Sequence, residues 1–471
     1  MIKQVSNWKL KLFSGLVITA LTATACSSGS GSNPSSSPSP ASSPKATENN
    51  ENANKTEKPN QDPVTIRIGT NLYNEAWENK ETWAKFTADF KKKYPWITLE
   101  FIFTGMGSEV KEALNRQIAA KEPYDVFWGS TLRDFVDEGY AENLTPYIEK
   151  SPDFKAFKFK PGVIDSFQIN GQQWALSRGN DAFLLFINKD IFAQRGVDLP
   201  KNNWTWDDFR KTAIALTDPG KKTWGLQDIS SWELFITGVI PYSNGHTTNT
   251  RMLSKDHRTS IANSPEVLED LQWFQDLKLK DGAALTSKLM SENKIEGDTW
   301  MTGNAAITVQ PSPIIPVYNS QVKFNWDIVP LPAGTAQQKG IGFNSPMFLA
   351  KASKNKEAAW TFMKWWTTDP DAQRILQDIG GTFPATNDEK LVDAFKNAEV
   401  YSKVNKEALA IAASVTEPDM WGTVPAGDKG MTAYEGFRKA EEEGKTAYDY
   451  YPQAVEKLNK EFAEAWSKTT K

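Results

Sequence analysis

The sequence predicts an α/β protein built as two lobes with a cleft between them. Three observations carry this. Residues 64–128 show apolar patterns in the order β-α-β-α-β. A second apolar run at residues 183–187 opens a further α/β region. At 471 residues the chain exceeds what one core usually serves.

Val64, Ile66 and Ile68 alternate with other residues, as a strand requires. Trp83, Phe86, Phe90 and Tyr94 then recur at helical spacing, and Pro95 stops that helix. Ile97, Leu99, Phe101 and Phe103 alternate again. Val110, Leu114 and Ile118 mark a second helix, and residues 125–128 a short buried strand. Such an order makes a mostly parallel sheet with helices on both faces. In the second region Thr205 is placed to cap a helix, with Asp208 in its first turn. Ser264 and Pro265 open another helix that carries Leu268, Leu271 and Phe274 inward. Residues 305–310 and 326–329 read as strands. Residues 452–466 read as an amphipathic helix with Val455, Leu458, Phe462 and Trp466 on one face.

The net charge is −4, and the basic residues cluster only in short runs such as Lys91 to Lys93. Nucleic acid needs a denser positive footprint, so it is excluded as a partner. One Cys and two His exclude a disulfide framework and most Cys/His metal sites, so no metal is expected. No cofactor is expected either. There is no Walker A motif, and Gly340-Ile341-Gly342 lacks the rest of the dinucleotide fingerprint. His246 and His257 lie in a Thr-rich stretch without a nucleophile elbow, which speaks against nucleophilic catalysis. Glycoside hydrolysis by paired carboxylates stays open, because acids are plentiful and their pairing in space is invisible in sequence.

Lys3, Lys9 and Lys11 precede an apolar stretch at residues 12–21, too short to span a bilayer but suited to a signal peptide. It leads into Ala23-Thr24-Ala25-Cys26, which resembles a bacterial lipobox and uses the chain's only cysteine. Residues 1–25 are thus expected to be removed and Cys26 to be lipidated. That removal deletes three lysines and no acid, taking the net charge from −4 to −7. Residues 26–62 are rich in Ser, Pro, Asn, Lys and Glu and contain no aromatic residue. They are expected to form a disordered tether above the membrane face.

Tryptophan usage is the most informative part of the composition, with 18 in the chain. Flat rings suit the apolar faces of sugars, while Asp, Glu, Asn and Arg bond hydroxyls. Trp83, Trp273, Trp360 and Trp466 lie at helical spacing with other apolar residues and are expected to fill core. Trp77, Trp128, Trp232 and Trp421 lie beside loop signals or strand ends, where ligand contact is as plausible as packing. Ligands of open α/β sheets bind beyond the carboxyl ends of strands. That rule puts residues 71–77 and 128–131 on the rim.

Five segments in order are similar to the extracellular solute-binding proteins of carbohydrate ABC importers, the maltose-binding-protein-like family. They are Tyr94-Pro95-Trp96-Ile97; Tyr124-Asp125-Val126-Phe127 with Gly139 and Leu144-Thr145-Pro146-Tyr147-Ile148; Asn188-Lys189-Asp190-Ile191-Phe192 with Trp204-Thr205-Trp206-Asp207-Asp208-Phe209; residues 351–360; and Gly381-Thr382-Phe383-Pro384-Ala385. The resemblance implies a two-lobe periplasmic-binding-protein-like fold of class II, with a hinge crossed three times, near residues 178–182, 333–339 and 384–391. It implies one lobe of residues 63–180 plus 336–386 and another of 181–335 plus 387–471.

The resemblance also implies stacking by Trp128, Trp232 and Trp421 and hydroxyl recognition by Asp181 and Glu233. Trp77 is expected to join the stacking, and Asn180, Asn71, Arg178 and Gln310 the hydroxyl recognition. The family's stacking Trp after the strand at residues 305–310 is replaced here by Pro311-Ser312-Pro313, with Gln310 as a polar contact, which favours a different or smaller sugar. Trp300, where the family has a core Phe, is expected to pack. The implied function is capture of a sugar or oligosaccharide by a monomeric, lipid-anchored, non-enzymatic protein that delivers it to a membrane permease. A secreted carbohydrate-active hydrolase or lyase, or a binder of a non-sugar solute such as a polyamine, are the alternatives.

Overall fold

The computed structural model describes residues 62–71, 80–105, 108–129, 132–227, 233–249, 251–380, 382–420, 423–425 and 443–469. Cys26, the residues before it and the 26–62 tether up to residue 61 lie outside the described residues, as do Trp77, Trp232 and Trp421.

The first sheet grows from the alternating segments. β1 (Val64–Thr70) pairs in parallel with β2 (Ile97–Phe103), in register from Val64 opposite Ile97 to Thr70 opposite Phe103. Helix α1 (Lys80–Lys93) joins them, and α2 (Ser108–Ala119) leads to β3 (Val126–Trp128), on the other side of β1. Helix α2 turns Val110 and Leu114 inward, but Ile118 is exposed. After β3 come the short helices α3 (Leu132–Asp137), α4 (Thr145–Glu149) and α5 (Pro152–Ala156). The small hairpin of β4 (Gln168–Ile169) and β5 (Gln172–Gln173) precedes β6 (Leu176–Asp181).

β6 belongs to the first sheet, while the next strand, β7 (Phe183–Asn188), belongs to the second; only Ala182 separates them. Asn188 caps α6 (Lys189–Arg195) by accepting from the Asp190 and Ile191 amides. Thr205 and Asp208 form a reciprocal capping box at α7 (Trp206–Leu216). β8 (Trp224–Leu226), α8 (Glu233–Ser243) and α9 (Pro265–Leu279) follow. Ser264 sits at the α9 N-cap with Pro265 next, but its side chain makes no capping bond. Then come α10 (Ser287–Asn293), β9 (Ala305–Pro311), α11 (Ile315–Gln321) and β10 (Trp326–Val329). The second sheet runs β10-β7-β9-β8, with β7 buried along its whole length.

β11 (Gly340–Leu349) returns to the first sheet, antiparallel to β3 and β6. Helices α12 (Lys356–Thr368) and α13 (Pro370–Gly380) follow; α12 covers the first sheet with Trp360, Phe362, Trp365 and Trp366. Helices α14 (Glu389–Lys396) and α15 (Lys406–Val415) instead pack Leu409 and Phe395 on the second-sheet core beside Leu184 and Phe186. β12 (Thr416–Pro418) then pairs in parallel with β11. The last helix, α16 (Ala447–Lys468), begins five residues before the start that Pro452 suggested. A Thr446–Asp449 capping box fixes its true start. Pro452 forfeits one backbone bond inside the helix, a loss the cap and the buried Tyr451, Val455, Leu458 and Phe462 outweigh. Each sheet thus carries its own core, which makes two lobes. No helix among the described residues is long and apolar enough to cross a membrane.

Candidate functional site

The segments that pass between the sheets converge on one short region. On β6 and β11, Asp181 lies opposite Phe343 and Asn180 opposite Asn344. Beside them, the Ser312 amide at the end of β9 donates to Ala182 O at 2.8 Å, and the Asn180 amide donates to Phe383 O at 3.1 Å. β12 closes the other side of β11, with Gly342 opposite Pro418.

This convergence needs glycine where strands approach closely. A Cβ on Gly342 would come within 2.5 Å of Thr416 Cγ2 and 2.6 Å of Asp181 O. Gly340-Ile341-Gly342, uninformative as a nucleotide motif, is thus a packing device.

Asn180 and Asp181 are 1% and 4% exposed. Neighbours on one strand face opposite ways, so they serve opposite faces of β6. The Asn180 amide nitrogen donates to Thr416 O at 3.4 Å, and Asn344 Nδ2 donates to Val163 O at 2.7 Å. The amide oxygens of Asn180 and Asn344 are buried and accept no hydrogen bond from the described residues. Buried acceptors of that kind are costly unless a donor reaches them. Phe343 is half-buried, its ring 5.2 Å from that of Phe183.

On the far side of β11, Glu417 accepts from the Tyr242 hydroxyl at 2.6 Å and pairs with Lys339. Burial, reinforced by Glu417, pushes the Tyr242 phenol far above its ordinary range, so it stays a donor. Asp419 pairs with Arg251, both nearly buried, and Asn249 Nδ2 donates to Pro418 O at 2.9 Å. His257 lies 3.2 Å from Thr423 Oγ1, and His246 2.8 Å from Asp270. Among the described residues no group of three His, Cys, Asp or Glu side chains could hold a metal ion.

The sequence-derived candidates are placed unevenly. Asp181 and Asn180 are at the crossing, and Arg178 is on the same strand. Gln310 is half-buried on β9 opposite Leu184, beside the crossing. Asn71 is half-buried just past β1. Glu233 opens α8. Trp128 is at the carboxyl end of β3 but only 4% exposed, its ring 4.9 Å from that of Trp366 in the first-lobe core. Trp300 is fully buried against Tyr318, ring centroids 4.5 Å apart. Sequence reasoning did not find Phe343, Asn344 or Glu417. No periodic pattern marks these residues in the sequence; their neighbours come from strand pairing.

A model of the bacterial extracellular solute-binding protein family matches residues 76–373. The chain belongs to that family. It is 24% identical over 316 residues to a binding protein of Brucella abortus, covering 65% of this chain and 73% of the other. It is also 24% identical over 284 residues to the maltotriose-binding protein of Pyrococcus abyssi, covering 58% and 57%. Among solved structures, the Listeria monocytogenes ABC substrate-binding protein in complex with cycloalternan superposes with a TM-score of 0.69 at 20% identity. That match covers 86% of this chain and all of the other, so the two share the two-lobe fold.

Proposed function

We propose that this solute-binding protein captures a sugar or oligosaccharide between its lobes and delivers it to the permease of an ABC importer, without covalent chemistry. The observation that carries the reading is the crossing itself. It joins a nearly buried carboxylate, Asp181, to an aromatic neighbour paired with it, Phe343, while the acceptor oxygens of Asn180 and Asn344 lie on the opposite face of the same strands. Carboxylate and amide acceptors bond hydroxyl donors, and an aromatic ring accepts the apolar face of a sugar. The names of the Pyrococcus and Listeria proteins point to the same ligand class. On β11's far side, among the described residues, Lys339 and Arg251 are each paired with an acid.

In this reading Asp181, Asn180, Asn71, Arg178, Glu233 and Gln310 recognise hydroxyls, and Trp77, Trp232 and Trp421 supply ring faces, whereas Trp128, expected from the sequence to stack on ligand, is buried against Trp366 and packs the first-lobe core instead. The protein is a monomer whose Cys26 carries the lipid that keeps it at the outer membrane face, with residues 1–25 removed and 26–62 as tether. The two lobes take residues 63–180 with 336–386, and 181–335 with 387–471.

A thermal-shift screen of residues 60–471 against mono- and oligosaccharides, amino acids and polyamines tests the ligand class. Ligand at ~100 times its Kd stabilises by ~2.7 kcal/mol, a shift of a few degrees. A response to sugars alone supports the proposal; a response confined to polyamines or amino acids refutes it. Mass spectrometry of the membrane-extracted protein tests the acylated Cys26, and intact Met1 would refute it.

A further inference from the structure

Trp466 on α16 lies beside two guanidinium groups. Arg258, from the second lobe, is centred 4.6 Å from its ring, and Arg133, from α3 of the first lobe, 5.3 Å. Both are within the ~6 Å over which a cation is held by the negative face of an indole.

The two contacts differ in what they join. Trp466 is half-buried and packs on the second-lobe core with Tyr451, Val455 and Phe462. Helix α3 sends Leu132 and Phe135 into the first-lobe cluster with Phe127 and Phe348. The Arg258 contact therefore stays within one lobe, whereas the Arg133 contact ties the lobes together away from the crossing strands.

Arg133 is 6% exposed, an unusual state for arginine unless it is paired. Its charge is met within its own helix by Asp137, one turn on, at 3.1 Å. Helix α3 also begins just beyond the carboxyl end of β3, where the ligand rim is placed. Holding Arg133 against Trp466 holds that rim toward the second lobe.

We propose that Arg133 and Trp466 form an interlobe latch that stabilises the closed form, so that Trp466 sets ligand affinity without touching ligand. This rests on the reading of the protein as a binder that closes on its ligand. Apparent affinity scales with the fraction of molecules in the competent form. Losing one partly desolvated cation–π contact is therefore expected to weaken binding roughly 3- to 30-fold. The change belongs mainly in dissociation rate, because the latch acts after encounter.

The test needs no ligand. Cys26→Ser with Lys85→Cys and Lys280→Cys puts one spin label on an exposed site of each lobe, for distance distributions by pulsed electron resonance. In Trp466→Ala the short-distance population should fall, and in Trp466→Tyr most of it should return. Arg133→Gln, on the other lobe, should match Trp466→Ala, and the double variant should go no further than either. If Trp466→Ala fails to fold, Arg133→Gln decides alone. An unchanged short-distance population in folded Arg133→Gln overturns the latch, as does a parent that has no such population. A simple packing role for Trp466 would lower melting temperature but leave the distances unmoved. Repeating the measurement with maltotriose separates the two readings. A latch without sugar-induced closure keeps the latch and counts against the sugar.

Discussion

Asp181 on β6 stands directly opposite Phe343 on β11, one residue before the chain leaves the first sheet for the second. A carboxylate at that point belongs to the first sheet by pairing and to the second by sequence. Groups bound there report on both lobes at once.

Asp181→Ala should weaken sugar binding by ~1.5–3 kcal/mol, the scale for a hydrogen bond to a charged group. Titration calorimetry with whichever saccharide the thermal screen returns measures this directly. An unchanged Kd removes Asp181 from the site.

Gly342→Ala should destabilise the protein by ~1–3 kcal/mol, since its Cβ would meet Thr416 Cγ2, Asp181 O and Asn180 Oδ1, all inside 3.0 Å. Two of those atoms belong to candidate binding residues, so affinity should fall as well. Urea unfolding with the binding assay on the same sample checks both effects; a variant as stable as the parent refutes the close packing.

Trp128→Ala should cost ~3–5 kcal/mol of stability, because the side chain packs against Trp366 in the first-lobe core. Chemical denaturation gives the value. A loss below ~1 kcal/mol would mean that the ring is free to serve ligand instead.

Lys160 supplies a pH dependence. Its backbone amide donates to Ala385 O at 2.9 Å and its Nζ donates to Ala413 O, in the last turn of α15, at 3.4 Å. Burial lowers its pKa from 10.5 to about 8. Below pH 8 folded and unfolded chains both hold the proton, and burying the charge costs its full amount. Between pH 8 and 10.5 mainly the unfolded chain binds it, so this group's cost fades and stability rises with pH. Lys160→Met should therefore be ~1–3 kcal/mol more stable than the parent at pH 7, and the gap should close toward pH 10.5. Denaturant midpoints at pH 7 and pH 10 read this; a gap that widens with pH contradicts it.

The local structure was legible because short-range physics sets it. Alternation at Val64, Ile66 and Ile68 and at Ile97 to Phe103 is a property of neighbouring residues, and it became β1 paired with β2. Thr205 and Asp208 carried their capping box within four residues of sequence. Periodicity misled at Ile118, which shares helical spacing with Val110 and Leu114 yet faces solvent, because nothing in α2 alone says how far a core reaches. Pro452 misled as a start signal because a stronger cap stands upstream at Thr446.

The site was legible only in part. Asp181 could be placed by its distance from the Asn188 motif, but Phe343 lies far along the chain and meets it only through antiparallel pairing. Whether Trp128 offers a ring face or fills a core depends on Trp366, which α12 brings up from the other end of the lobe. Most elements, the α/β class and the family could be read from residues close in the chain, since these rest on periodicity, caps and ordered motifs. Which groups share the crossing, which tryptophans are buried, and that Arg133 reaches Trp466 emerged from the folded chain alone. Those facts depend on strand register and lobe packing, which join residues hundreds of positions apart.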